Sequence, residues 1–151
     1  KLPGLAGGKG NTGGKVPDGT DGWSARMMWK QKGKIIQYVY HPGQIGTYGD
    51  IYEWKDASGN ALYFEPERWY TVEHHIVMNT PGKNNGFIEA WLNGEKALEI
   101  PGLRFRDVST FAIDKFQFST FFGGGDSTWS TSKDESVFFD DFIISTSAIT
   151  H

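Results

Sequence analysis

Lys1, Ser24, Arg26, Tyr38 and Tyr40 are the residues of this chain whose types and spacing could do chemistry. Lys1 opens the segment Lys1-Leu2-Pro3-Gly4-Leu5. Ser24 and Arg26 lie in Trp23-Ser24-Ala25-Arg26-Met27-Met28-Trp29, and the tyrosines in Tyr38-Val39-Tyr40-His41-Pro42. Polar members alternate with apolar ones, so in extended strands they share a face. A lysine, a serine, an arginine and two tyrosines are the groups needed to hold an acidic sugar and move a proton on it: cations for a carboxylate, phenols for proton transfer. A tyrosine base would need cationic neighbours to lower its pKa from about 10, and Lys1 and Arg26 are the candidates.

The elements that must position these groups are strands. No window of ten or more residues has a helical period, whereas period-2 patterns bounded by Gly, Pro, Asn and Asp recur. Strands are expected over 23–30, 34–41, 61–64, 69–79, 86–93, 96–100, 115–122 and 136–146, with a short one over 48–54. Asn93-Gly94 predicts a tight hairpin, since both residues tolerate the positive φ of a type I′ turn. Lys32-Gly33, Ser58-Gly59-Asn60 and Asn84-Asn85-Gly86 mark further reversals. Residues 6–22 read as a long irregular segment of the kind that carries function, and 101–114 as a second connection with a short helical turn. Pairing of 23–30 with 34–41 through Gly33 would bring Ser24, Arg26, Tyr38 and Tyr40 onto one exposed face. A tyrosine pair on a strand more often serves packing, and an arginine beside it can be a cation–π surface contact.

The same parity argument adds weaker candidates. His75 and Asn79 share a face with Glu73, and the adjacent His74 points the other way, so the two histidines cannot chelate one metal from a flat strand. In 115–122, Phe116, Phe118 and Phe122 form an apolar side read as core, leaving Gln117 and Ser119 on the wetter one. Asp140-Asp141 reads as a turn cap or solvated edge rather than a calcium site.

Composition excludes other classes. Among 151 residues, 15 basic and 18 acidic side chains and no basic run give no footprint for nucleic acid. No apolar stretch approaches the ~20 residues of a membrane span, and the absence of cysteine removes disulfides and thiolate metal sites. An aromatic content of 15% with 20 glycines suits β-sheets joined by tight turns. Nucleophile-elbow, zincin and Walker motifs are missing, as is a paired-carboxylate strand of glycosidase type. The chain therefore reads as one all-β domain over 1–151, a sandwich or jelly roll.

These segments resemble the family 14 polysaccharide lyases, the alginate and glucuronan lyase type, with the related family 20 as near neighbour. The resemblance also runs through Met78-Asn79-Thr80-Pro81-Gly82, Trp91-Leu92-Asn93-Gly94, Phe118-Ser119-Thr120-Phe121-Phe122-Gly123-Gly124 and Phe139-Asp140-Asp141-Phe142. It implies an antiparallel β-jelly roll with a concave sheet that binds an acidic polysaccharide, and cleavage of a 1,4-linked uronan by β-elimination without a cofactor. Carried over residue by residue, it implies Lys1, Tyr38 and Tyr40 as catalytic, and Ser24 and Arg26 as groove residues that bind substrate. His75, Asn79 and Gln117 join them as substrate-binding candidates. It also implies secretion, and sequence ahead of the Lys-Leu-Pro-Gly motif that supplies further strands, which makes this chain a fragment lacking N-terminal strands. The base and the acid stay unassigned among Lys1, Tyr38 and Tyr40. A non-catalytic glycan-binding module and a structural component of a larger assembly are the competing readings.

Overall fold

The computed structural model describes residues 1–124 and 126–149. They group into two compact units that divide between Phe121 and Phe122. In the first unit, β1 (Gly4–Gly8), β2 (Gly22–Trp29), β3 (Ile35–Tyr40), β4 (Asp50–Glu53), β5 (Val72–Val77), β6 (Gly86–Leu92), β7 (Glu95–Leu103) and β8 (Lys115–Gln117) form two antiparallel sheets. The larger has the order β4-β3-β2-β1-β8 and the smaller β5-β6-β7, in agreement with the all-β jelly roll expected.

Alternation explains the layering. Trp23, Ala25, Ile35 and Val39 of the large sheet point inward and are fully buried, as are Ile88 and Ala90 of the small one. Aromatic contacts join the layers: the Trp23 and Phe105 rings lie 4.7 Å apart, and those of Trp54 and His74 5.4 Å. Residues of opposite parity on β2 and β3 point away from this core and build the site. The β6–β7 turn forms at Asn93 and Gly94, with φ of 53° and 83°, as the sequence predicts.

Strand β1 occupies part of the segment expected to be irregular. Its sequence, Gly-Leu-Ala-Gly-Gly, lacks the β-branched and aromatic residues that announce strands. Close approach explains the glycines. A Cβ on Gly4 would collide with the Ala25 carbonyl oxygen, and one on Gly7 with the Ala112 carbonyl. The expected strand over 61–64 is reduced to isolated bridges at Ala61 and Tyr63. The expected helical turn in 101–114 is absent, because β7 runs on to Leu103 and the residues that follow form bends.

The predicted strand over 115–122 stops at Gln117, and its phenylalanine side is not core: Phe118 is 55% exposed. This strand lies at the edge of the large sheet, where one neighbour supports it. In the second unit, a short 3₁₀ turn over Ser127–Trp129 is capped by Asp126. The strand expected over 136–146 does not form. A strand needs a neighbour's backbone, and none pairs there among the described residues; Phe138 is accordingly 75% exposed. The Asp140 carboxylate accepts the Asp141 amide, a turn contact. No helix among the described residues is long and apolar enough to cross a membrane.

Candidate active site

The β2–β3 hairpin sets the site. Ser24 stands opposite Tyr40 and Arg26 opposite Tyr38, so four of the predicted residues share one sheet face, as parity requires. The face differs from expectation in one respect: Ser24, Arg26 and Tyr40 are buried and Tyr38 is partly exposed. The segment 9–21 covers the Ser24–Tyr40 row. The Ser24 hydroxyl donates to the Asn11 carbonyl at 2.6 Å, and the Gly14 amide donates to the Tyr40 phenol oxygen at 3.0 Å.

Arg26 is 6% exposed. Its Nε donates to the Leu2 carbonyl at 3.0 Å, and its Nη2 donates to the Ser119 carbonyl and hydroxyl. These acceptors are neutral, and among the described residues no carboxylate pairs with the guanidinium. The Phe121 ring lies 5.5 Å from its central carbon. A buried cation held without a counterion is costly, and burial pulls its pKa down.

Lys1 is brought to the same face by its neighbours. The Phe121 amide donates to the Lys1 carbonyl at 3.3 Å, the Leu2 amide pairs with Met27, and the Leu2 side chain is buried. Lys1 Nζ lies 3.0 Å from the Met28 sulfur and 3.9 Å from the centre of the Tyr38 ring. Desolvation, then the charge of Arg26, lowers its pKa to about 8. Tyr38 moves the opposite way. Burial, then the hydrogen bond with Tyr40, raises its pKa; the two phenol oxygens are 3.3 Å apart. The cationic depression that a tyrosine base would need therefore does not occur at Tyr38, because loss of water and its phenol neighbours both favour the neutral form.

Gln117 joins the face. Gln117 and Arg26 flank Gly4 in register, and its Oε1 is buried without a partner. Two predicted residues do not belong. His75 is on β5 in the other sheet, with Nδ1 3.2 Å from Glu89. Asn79 is 1% exposed, and its amide is spent on the backbone: it donates to the carbonyls of Thr80, Lys83 and Arg106 and accepts the amides of Phe105 and Arg106. Strand parity cannot reveal which sheet a strand enters. Met28, Ser119 and Gly14 also lie at this face. Parity with Arg26 marks Met28, parity with Gln117 marks Ser119, and Gly14 carried no signal beyond its place in the irregular segment. Among the described residues no three His, Asp or Glu side chains gather as a metal site.

A family model described as polysaccharide lyase 14 matches residues 1–142. Solved structures with the same fold include alginate lyase Aly36B, 28% identical with a TM-score of 0.69, covering 85% of this chain and 54% of that one. The PL-14 alginate lyase from Aplysia kurodai is 27% identical with a TM-score of 0.66, over 83% of this chain and 54% of that one. Alginate lyase vAL-1 from Chlorella virus is 26% identical with a TM-score of 0.65, over 82% and 54%. Aly36B has also been solved, with a lysine and a methionine replaced by alanine, in complex with alginate trisaccharide. No curated protein matches the chain. The chain thus spans about half the length of the solved lyases it resembles, and by the match over nearly all of its own residues it belongs to the polysaccharide lyase 14 family.

Proposed function

We propose that this chain carries the elimination centre of a lyase acting on a 1,4-linked uronan, with alginate as the preferred polymer. The observation that carries the reading is Arg26, a buried guanidinium with no carboxylate partner among the described residues, beside a lysine and two phenols. A uronate carboxylate supplies the missing anion. Neutralising it makes the C5 proton acidic enough to remove. Lys1, with its pKa lowered to about 8, takes that proton as the free amine. Tyr38, kept protonated by its raised pKa, gives its proton to the C4 oxygen. The C5–H electron pair forms the C4=C5 double bond, the C4–O bond breaks, and the products are a new non-reducing unsaturated uronate and a leaving chain whose C1 keeps the glycosidic oxygen as a hydroxyl, a new reducing end. The Aly36B–alginate complex supports the assignment, since a lysine and a methionine are the residues replaced there, and Lys1 and Met28 are neighbours here. Substrates of this class are extracellular polymers, so the reading includes secretion.

The test is incubation with alginate and with glucuronan, following the ultraviolet absorbance of the unsaturated uronate. Absorbance rising faster on alginate is expected. No absorbance from folded protein on either polymer overturns the lyase reading, and retained binding of alginate in that case makes the chain a glycan-binding module.

A further inference from the structure

Ser24 is 1% exposed, and its hydroxyl is already committed to the Asn11 carbonyl, so it has neither the exposure nor the free proton to meet a sugar. Its partner lies on a strap, residues 9–21, closed on itself through Asp21: the Asp21 carbonyl accepts the Lys9 amide, and its carboxylate accepts from Asn11 Nδ2 at 2.9 Å and from the Asp18 amide at 3.2 Å. The strap meets the sheet at two adjacent points. Asn11 sits on Ser24, and three residues on, Gly14 sits on Tyr40, the residue directly opposite Ser24. Gly14 has φ of 81°, the left-handed region that favours glycine, and the Thr47 and Tyr48 side chains lie in ordinary contact range of where a Cβ would stand (3.4 and 3.5 Å). The Gly14 amide donates to the Tyr40 oxygen, which fixes where the phenol lies. Tyr38, 3.3 Å away, is the hydroxyl in reach.

We infer that Ser24 is a positioning residue: its hydroxyl pins the 9–21 strap so that the Gly14 amide holds the Tyr40 phenol in place beside Tyr38. The inference rests on the lyase reading for its catalytic consequence, but not for its structural one. Ser24 acts on turnover through Tyr40 and not through substrate affinity.

A double-mutant cycle tests it. On alginate, Ser24→Ala is expected to lower kcat by about tenfold to a hundredfold with KM unchanged, and to cost under about twofold more when added to Tyr40→Phe. A raised KM with kcat retained, or independent losses that multiply in the double variant, overturns the inference. Exchange of the Gly14 amide with solvent, read by NMR, is the readout free of activity. It is expected to accelerate at least about tenfold in both Ser24→Ala and Tyr40→Phe while Ile88 in the other sheet keeps its protection. If the parent protein makes no unsaturated product, the lyase reading fails and amide exchange alone decides: unchanged Gly14 exchange in Ser24→Ala overturns the strap. Should Ser24→Ala not fold, Ser24→Cys, of similar size with a weaker donor, takes its place in both measurements under the same criteria.

Discussion

At the scale of single residues, the proposed base and acid roles rest on the opposite displacements of Lys1 and Tyr38. Lys1 is lowered to about 8, by burial and then by Arg26, so a substantial fraction is free amine in mildly alkaline solution. Tyr38 is raised, by burial and then by Tyr40, so it stays a proton donor throughout that range. If Lys1 takes the C5 proton, kcat/KM climbs with pH through about 8 and levels off, and the falling limb lies above the ordinary tyrosine range. If Lys1 instead neutralises the carboxylate as an ammonium, kcat/KM falls through about 8, and the assignment is reversed. A pH–rate profile on alginate separates the two. Tyr38→Phe is expected to lower kcat by roughly 10²–10⁴ with the thermal midpoint nearly unmoved; unchanged turnover would remove Tyr38 from the chemistry. The shared face of Ser24, Arg26, Tyr38 and Tyr40 was legible in the sequence because strand parity is a property of the backbone. The direction of the tyrosine shift was not. A sequence shows which cations are near in kind, but not that Lys1 Nζ lies over the ring of Tyr38 or how far its hydroxyl is withdrawn from water.

At the scale of elements, glycines and amides do work that a strand pattern hides. β1 was invisible because its side chains are small, and they are small because β2 approaches so closely at Gly4. A strand continued through Asn79, as the alternation suggests, would put it in the groove. The strand ends at Val77, and the Asn79 amide instead joins the turn at Thr80–Lys83 to the chain leaving β7 at Phe105 and Arg106. Removing it strands the Lys83 carbonyl and the Phe105 and Arg106 amides, partly buried away from water, while the Thr80 and Arg106 carbonyls keep the Lys83 and Gly82 amides. Asn79→Ala is therefore expected to cost about 3 kcal/mol in urea unfolding, while the kcat/KM of the protein that remains folded is unchanged. A loss of turnover at full stability would return Asn79 to the site. The same logic separates His75, whose Glu89 partner lies on the outer side of the small sheet, from the β2–β3 face. Period-2 patterns say which residues of one strand lie together, and only the order of strands says which strands do.

At the scale of the whole molecule, the two-sheet sandwich was legible from alternation and turn signals, but the polar groups sealed between its layers were not. Gln37, the Trp54 indole nitrogen and His74 Nε2 are buried there without partners, and nothing in a strand pattern distinguishes them from side chains that reach solvent. His74 has a direct consequence for stability. Burial lowers its pKa from 6.5 to about 4, so the folded state refuses a proton that the unfolded chain accepts. Above pH 6.5 both states are neutral at this site and its contribution is fully present. As pH falls from 6.5 toward 4 the unfolded chain binds the proton first, and stability drops by about 3 kcal/mol across that window. His41 is displaced in the same direction by burial, with Asp50 at 3.0 Å pulling back, so its share is smaller. His74→Phe keeps a ring against Trp54 and removes the titration. Urea midpoints at pH 7 and pH 4.5 are expected to diverge strongly in the parent and much less in His74→Phe. Parallel losses in the two proteins would mean that acid unfolds the sandwich through its surface carboxylates, because only a group whose protonation the fold resists can make removal of that group flatten the curve.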